Sequence, residues 1–370
     1  MEVLSILALH LVDNIGGTKA KQLISYCGSA EAVFKMPLER LKRIPQIGEK
    51  AAQALKTGNF REEAEAEWQK AAKMGVRVLS FLDPDYPQRL RQIPDAPLIL
   101  FTRGEVSLNP AKCIAIVGTR EATDYGRGIT EEIVADLQKH KPLIVSGLAY
   151  GIDIAAHRAS LRSQLPTVGI LASGVDVIYP AAHKQTVQQM LEAGGGIVSE
   201  SRLGTKPDAP RFPARNRIIA GMADLVLVIE AKAKGGALIT AEVANDYHRE
   251  VMAVPGDLHR SASVGCHKLI REHKAHIYTG LADLETLLNW QDQHPTQTQP
   301  RQLPLAYHMD TLDETEQKII RLLTQTGESV GIDDISWQLQ LSASQVNAAL
   351  FNLELTGWIK AQPGKKYKRV

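Results

Sequence analysis

The sequence predicts an α/β protein with a parallel sheet in the middle of the chain, a helical region before it and a small mixed domain after it. Near-continuous apolar strands alternate with amphipathic helices between residues 75 and 290. Apolar residues recur at helical spacing before that segment, and a Gln/Pro-rich stretch follows it. A length of 370 residues suits two or three domains better than one core.

Residues 1–70 are predicted to be all-helical. Apolar residues recur there at helical spacing, at Leu4, Leu7, Leu11 and Ile15. Segments 14–23 and 45–55 each place a glycine turn before a helix, which resembles the helix-hairpin-helix motif of SAM-like domains. In that motif, amides at a helix N-terminus meet a DNA phosphate. Asn14 and Gln46 stand where its first glycine is expected, so a structural role and DNA contact both remain open.

Residues 75–290 alternate strands and helices. The predicted strands are 114–117, 143–145, 168–171, 225–229 and 251–254. Strands that are apolar on both faces indicate a parallel sheet covered by helices on both sides. Ligands of such sheets bind at the carboxyl ends of the strands.

A polar linker is predicted at 291–309, and residues 310–370 are predicted to form a winged helix of three helices and a hairpin. Its third helix, from Ser342, contains no Lys or Arg and does contain Glu354. A helix that reads the major groove normally carries basic or amide side chains. Protein contact or weak DNA contact is therefore the preferred interpretation of this domain.

Composition narrows the class of ligand. The formal net charge is +2, so a polyanion site has to be a local basic patch, and only 5% of residues are aromatic, which favours phosphate contacts over base stacking. Three widely spaced cysteines indicate neither a zinc site nor a disulfide framework. The N-terminus is a poor signal peptide and no apolar run is long enough to cross a bilayer, so we expect a cytoplasmic protein without membrane contact.

Small, polar or basic residues follow the predicted strands, and these segments are 117–120, 145–153, 172–184, 211–217 and 234–241. Glycines let a phosphate reach backbone N–H groups, and a following helix N-terminus adds a favourable dipole. The positive charge in these loops comes from Arg120, Lys184, Arg215 and Arg217. Several phosphate pockets on one sheet edge suit a chain of phosphates better than a single nucleotide.

These segments resemble the DprA/Smf family in order and spacing. The resemblance rests on VGTR at 117–120, SGLAYGID at 146–153, YP and HK within 179–184, RFPARNRIIAG at 211–221, GGALITAE at 235–242 and VPGDLHRSASVGCHKLI at 254–270. It implies an extended Rossmann fold, a homodimer formed through this domain, binding and protection of single-stranded DNA, and loading of RecA during natural transformation. Neither catalysis nor a cofactor or metal is expected.

The resemblance also assigns site residues, with Arg120 and Lys184 as the main DNA-binding cations. The complete predicted DNA-binding set is Gly118, Thr119, Arg120, Ser146, Gly147, Lys184, Arg215, Asn216, Arg217, Gly235 and Gly236. Where the family often has Ser-Gly-Ser, residues 235–237 read Gly-Gly-Ala, which leaves anion binding there to backbone amides. Tyr150, Tyr179 and Phe212 are open candidates for stacking a base.

The enzymatic alternatives are weaker. The first strand of the middle domain lacks the G-x-G-x-x-G turn of dehydrogenases, and neither a P-loop nor a G-x-S-x-G elbow occurs. His259, Cys266 and His267 lack a recognised metal spacing. A nucleotide phosphoribohydrolase like the LOG proteins stays open, because Gly235, Glu242 and their neighbours partly match that family's P-G-G-x-G-T-x-x-E loop.

Overall fold

The computed structural model describes residues 2–291, 312–326, 329–356, 358–362 and 366–369. The chain divides into two compact units, Met1–Gln291 and Asp292–Val370. Apart from Gln291, the predicted linker lies outside the described residues. Among the described residues, no helix combines the length and the apolar character needed to cross a membrane.

The first unit is built on a sheet of nine strands within its described residues. The strands are β1 (Arg77–Ser80), β2 (Ile99–Gly104), β3 (Cys113–Val117), β4 (Leu143–Ser146), β5 (Thr167–Ile170), β6 (Gly196–Ser199), β7 (Leu225–Val228), β8 (Glu250–Ala253) and β9 (His276–Ile277). Their order is β1-β2-β6-β5-β4-β3-β7-β8-β9. All neighbours from β6 to β9 are parallel, which confirms the predicted parallel sheet, whereas β1 and β2 extend one edge in antiparallel register.

Helices cover both faces of this sheet. They are α1 (Glu2–His10), α2 (Gly17–Cys27), α3 (Ala30–Lys35), α4 (Leu38–Leu41), α5 (Glu49–Thr57), α6 (Phe60–Lys73), α7 (Gln88–Arg91), α8 (Asp124–Asp136), α9 (Ile152–Arg162), α10 (Lys184–Glu192), α11 (Arg211–Met222), α12 (Gly236–Asp246), α13 (Val264–Arg271) and α14 (Leu281–Leu287). Strand β3 shows why its run is apolar throughout. Ala115 and Val117 pack in one core with residues of α11 and α12, while Ile114 and Ile116 pack in another with residues of α8 and α9.

One local prediction is corrected by the structure. The segment 211–217 was predicted to be a loop, but it forms the first half of α11. Pro213 is tolerated there because it is the third residue of the helix, where the backbone N–H would have no partner within the helix. Helix α12 likewise begins at Gly236, inside the segment 234–241 that was predicted to be a loop.

The N-terminal helices share a hydrophobic core with the sheet. Leu7 and Leu23 lie in the same cluster as Phe101 and Ile197, and the backbone N–H of Leu203 donates to Glu67 Oε1 at 2.7 Å. The helix-hairpin-helix interpretation gains a geometric basis, because the residues at the expected first glycines have positive φ angles. These angles are 63° at Asn14 and 65° at Gln46, in the left-handed region that glycine favours.

The second unit has the predicted winged-helix arrangement. It contains α15 (Glu314–Thr326), α16 (Ile332–Leu339) and α17 (Ala343–Leu355) with a sheet of β10 (Val330–Gly331), β12 (Lys366–Arg369) and β11 (Ile359–Gln362), in that order. Ser342 caps α17 in a capping box with Gln345. The exposed positions of α17 include Gln345, Asn347 and Phe351, the last of them 67% exposed.

Candidate functional site

A cavity of about 710 Å³ opens at the C-terminal ends of the strands, and we call it the strand-end cavity. It is lined by Val117 at the end of β3 and residues 118–120 after it, by residues 231–232 and 234–237 after β7, and by the first part of α11. Strands β4, β5 and β6 lie on one side of β3 and β7 lies on the other, so the strand order reverses between β3 and β7. Open α/β sheets bind their ligands in the crevice at such a reversal.

The loop after β3 holds Arg120 at the rim of this cavity. Thr119 N–H donates to the carbonyl of Glu230 at 2.8 Å, and a Cβ on Gly118 would lie 2.4 Å from Ile152 Cγ1. The loop is therefore pinned between two neighbouring segments. The exposed guanidinium of Arg120 lies 5.1 Å from the centroid of the Phe212 ring and forms no ion pair with any described residue. It is available to bind an anion.

The loop after β7 presents backbone amides to the same cavity. Gly235 is the N-cap of α12 and has no side chain to satisfy the first amides, and the first turn contains no acidic residue. Gly235 and Gly236 are both exposed. Asn216 in α11 donates to the carbonyl of Gly236 at 3.3 Å and so fixes the loop against the helix. Free amides and the positive end of the helix dipole favour an anion at this point.

Two lysines that were not among the predicted cations also line the cavity. Lys234 is exposed and lacks an ion pair within the described chain, whereas Lys232 pairs with Glu121. Lys234 comes directly before the glycine pair and Lys232 lies two residues earlier, and that position was the signal available in the sequence.

Ser146, Gly147 and Arg215 belong to a buried layer behind the rim, although Arg215 also lines the cavity. Arg215 donates through Nη1 to the carbonyls of Gly147 and Ile170, at the ends of β4 and β5. The Ser146 hydroxyl donates to the carbonyl of Ile116 at 2.6 Å. These contacts hold neighbouring strand ends together.

The Asp153 carboxylate lies beside this layer. A Cβ on Gly147 would lie 2.5 Å from Asp153 Oδ2 and 2.7 Å from Arg215 Nη1, so a larger residue there would have to displace these two buried charged groups. Burial raises the pKa of Asp153, and the charge of Arg215 opposes that rise. Burial also lowers the pKa of Arg215 to about 10, against the attraction of Asp153.

Lys184 lies on the same edge of the sheet but outside the cavity. It is exposed at the start of α10, which follows β5, and it has no ion pair among the described residues. His183 donates a hydrogen bond through Nδ1 to the carbonyl of Leu148, and its ring packs edge-on against Tyr150. The side chains of Tyr150 and Tyr179 are 51% and 49% exposed, so both are accessible to a base.

Arg217 is not brought to the cavity. Its guanidinium donates to the carbonyl of Asp95 at 2.6 Å and to the carboxylate of Glu200. Burial raises the pKa of Glu200, and the largest opposing influence is the charge of Arg217. The structure therefore brings together Gly118, Thr119, Arg120, Arg215, Asn216, Gly235 and Gly236, with Ser146 and Gly147 behind them and Lys184 beside them.

No group of His, Cys, Asp or Glu side chains within the described ranges could hold a metal ion. His267 instead contacts the carbonyl of Gly256 at 3.0 Å, and Cys266 is buried against the end of β7.

Comparison with known proteins decides the family. Residues 77–289 match the family of DNA recombination-mediator protein A, and residues 304–365 match the DprA winged helix domain. The chain belongs to the DprA family. It is similar to protein Smf of Synechocystis, with 36% identity over 315 residues that cover 78% of each chain. DprA of Streptococcus pneumoniae is 41% identical over 209 residues, which are 56% of this chain and 73% of that protein.

Solved DprA structures share the fold. The X-ray structure of DprA from Streptococcus pneumoniae aligns with a TM-score of 0.68 and 32% identity, and covers 77% of this chain and 98% of that one. A Helicobacter pylori DprA structure, described for its single-stranded DNA binding mode, aligns with a TM-score of 0.52 and 28% identity over 58% of this chain and 96% of that one. The predicted resemblance to DprA/Smf is confirmed.

Proposed function

We propose that this protein binds single-stranded DNA along the C-terminal edge of its sheet, protects it there and loads RecA onto it during natural transformation. In this proposal it acts in the cytoplasm as a homodimer formed through the Rossmann-like domain, and it catalyses no reaction. The observation that carries the DNA-binding part is the strand-end cavity, where the exposed amides of Gly235 and Gly236 lie near Arg120 and Lys234. The Helicobacter pylori relative, which is described as a single-stranded DNA binder, supports the same assignment.

A strand of DNA fits the distribution of these groups better than a free nucleotide does. Lys184, beyond the cavity, adds a further unpaired cation on the same edge, and a chain of phosphates can reach separated positive groups at once. The partly exposed rings of Tyr150 and Tyr179 lie on that edge, where they can stack on bases without selecting a sequence.

The test is fluorescence anisotropy of a labelled oligo-dT at several salt concentrations. Wild type should bind with a strong salt dependence. The double variant Arg120→Ala/Lys184→Ala should bind more weakly, with a slope of log K against log salt that is smaller by about 1.4, since each phosphate contact to a single strand contributes roughly 0.7. The matched control is Lys73→Ala/Arg271→Ala, which removes the same charges at exposed positions outside the cavity. Equal slopes for the two double variants would move the DNA site elsewhere.

The competing function is hydrolysis of a nucleoside monophosphate, for which Glu242 would be the acid. Its carboxylate is exposed, lies outside the strand-end cavity and pairs with Lys274 at 3.4 Å. Incubation with each nucleoside monophosphate should release no base. Base release that disappears in Glu242→Ala would replace the binding proposal with an enzymatic one.

RecA loading and dimerisation need their own measurements. The growth rate of RecA filaments on oligo-dT should rise when wild type is added and should rise less with the Arg120→Ala/Lys184→Ala variant. Light scattering on a sizing column should give twice the mass of one chain. A RecA rate that does not respond, or a monomeric mass, would remove that part of the proposal.

A further inference from the structure

A second cavity, of about 460 Å³, lies between the N-terminal helices and the ends of β5 and β6, and we call it the hairpin cavity. Residues 10–16, which join α1 to α2, form one wall, and Glu200, Arg202 and Arg211 belong to the other. It is separate from the strand-end cavity, and the proposed function does not use it.

The lining of the hairpin cavity favours an anion. Arg202, Arg211 and Arg215 contribute three positive charges, against the carboxylates of Asp13 and Glu200. The Glu200 carboxylate already accepts a hydrogen bond from Arg217, which offsets its negative charge. Arg202 is partly offset as well, because its Nη2 atom lies 3.8 Å from Glu63 Oε2. Arg211 is exposed and has no ion pair in the part of the chain that the structure describes.

Two further features point to a ligand. Arg215 is only 5% exposed, and its Nε atom is buried without a hydrogen-bond partner. The Nε atom is enclosed by protein, so an anion in the cavity would compensate the charge of Arg215 without reaching Nε itself. On the opposite wall, the eleven-residue helix α2 begins after Gly16, which offers no capping side chain, and the first turn contains no acidic residue. The first amides of α2 are therefore open to an anion.

The first turn of α11 is a wall shared by both cavities. Phe212 and Pro213 line the strand-end cavity, Arg211 and Ala214 line the hairpin cavity, and Arg215 lines both. A strand that leaves one cavity over this turn can therefore enter the other.

We propose that the hairpin cavity binds a further phosphate of the DNA strand held in the strand-end cavity, through Arg211, Arg215 and the N-terminus of α2. This inference rests on the proposed function and extends it. In this proposal the first helical hairpin contacts DNA through the N-terminus of α2. The number of nucleotides that the protein contacts should therefore be smaller when Arg211 is replaced.

The experiment measures the affinity of full-length protein for oligo-dT of increasing length, from about 4 to about 16 nucleotides, the span of known single-strand sites. For Arg211→Ala, the shortest oligonucleotide that binds should keep its wild-type affinity. The affinity for longer oligonucleotides should fall about tenfold, which corresponds to the loss of one charge-assisted contact, and their salt slope should fall by about 0.7. Arg271→Ala, another exposed arginine without an ion pair in the described ranges, is the control for loss of one positive charge.

A second pair of variants tests the opposite wall without endangering the fold. A Cβ on Gly16 would meet no atom within 4 Å, and the residue has an ordinary φ of −74°. Gly16→Asp and Gly16→Asn place similar side chains at an N-cap that both residues favour, and they differ in charge. Long oligonucleotides should bind Gly16→Asp more weakly than Gly16→Asn, and melting temperatures should confirm that both variants fold.

The outcomes separate the two proposals. A loss for Arg211→Ala that is equal at all lengths, or absent, overturns the hairpin cavity as an extension of the DNA path, as does equal binding by the two Gly16 variants. Binding of free dTMP or inorganic phosphate that depends on Arg211, without an effect on oligonucleotides, would also overturn it by assigning the cavity to a small anion. Failure of wild type to bind any oligonucleotide would instead refute the proposed function itself.

Discussion

Replacing Arg217 with methionine is expected to destabilise the protein without changing the salt dependence of short-oligonucleotide binding. Arg217 was predicted to be a DNA-binding cation, but its guanidinium is engaged by the carbonyl of Asp95 and the carboxylate of Glu200. Methionine retains much of the length of the side chain and removes both contacts. The variant therefore separates a structural role from a phosphate contact.

The expected loss is about 2 kcal/mol. A buried hydrogen bond to a charged group contributes roughly 1.5–3 kcal/mol, and breaking a buried ion pair costs about 3–5 kcal/mol. The Arg217 and Glu200 side chains are 19% and 24% exposed, so solvent screening reduces both values. Unfolding entropy is roughly 2.1 cal/mol/K per residue, so the unit Met1–Gln291 has an unfolding entropy of about 0.6 kcal/mol/K. Dividing the expected loss of free energy by this entropy gives a fall in melting temperature of about 3 °C.

The loss should also depend on pH. Burial raises the pKa of Glu200 and Arg217 opposes that rise, so removing Arg217 raises it further. A carboxyl with a raised pKa in the folded state makes the protein less stable as pH rises through that pKa. The difference between Arg217→Met and wild type should therefore be larger at pH 7 than below about pH 4.3, the ordinary glutamate pKa.

The assay combines thermal unfolding at the two pH values with anisotropy of the shortest oligo-dT that binds. A short oligonucleotide is needed because Glu200 lines the hairpin cavity, where its unpaired charge would repel a longer strand. An unchanged melting temperature together with a salt slope lower by about 0.7 would refute the reasoning, because it would make Arg217 a phosphate contact.

Three more predictions concern the strand-end cavity and the residues beside and behind it. Arg120→Ala and Lys184→Ala should each lower the salt slope of oligo-dT binding by about 0.7 and change the unfolding free energy by no more than about 0.5 kcal/mol, because both side chains are exposed and have no ion pair among the described residues. An unchanged slope for either variant would remove that residue from the site. Gly147→Ala should destabilise the protein by about 1–3 kcal/mol in thermal melts because its Cβ has no space, whereas a Cβ at the control position Gly128 meets no atom within 4 Å, so Gly128→Ala should be neutral or stabilising by up to about 1 kcal/mol. Equal melting temperatures for the two variants would contradict the packing argument. Because burial raises the pKa of Asp153, the unfolding free energy of wild type, measured by denaturant titration, should fall as pH rises from about 3.9 through that raised pKa, and Asp153→Asn should lack this fall. Parallel curves of unfolding free energy against pH for the two proteins would disprove this prediction.

The central strands could be predicted because they are buried on both faces. Each position of β3 and β7 packs against a helix layer, so the whole run is apolar and visible in the sequence. Strand β6 was missed because only Ile197 and Val198 are large and apolar, and glycines precede them. Its place in the sheet depends on pairing with β5 and β2, which are far from it in sequence.

The rim of the candidate site could also be predicted, because it consists of loops that follow strands. Parallel strands bring their C-terminal ends to one edge, so Thr119 and Gly236 line one cavity although more than a hundred residues separate them. The buried layer was less accessible to sequence reasoning. That Arg215 donates to backbone carbonyls depends on how deeply α11 sits against the ends of β4 and β5, which only the packed structure specifies.

The separation of Arg215 from Arg217 follows once residues 211–222 are seen to be helical. With 3.6 residues per turn, positions two apart on a helix point about 200° away from each other, so these two arginines cannot face the same cavity. A loop over 211–217 could present both charges to one phosphate chain, whereas the helix cannot. Arg211 and Arg215 are instead one turn apart on one face of α11, and that face is the one that the hairpin cavity uses. The arginines of this motif therefore divide between holding Glu200 in place and following the path of an anionic strand.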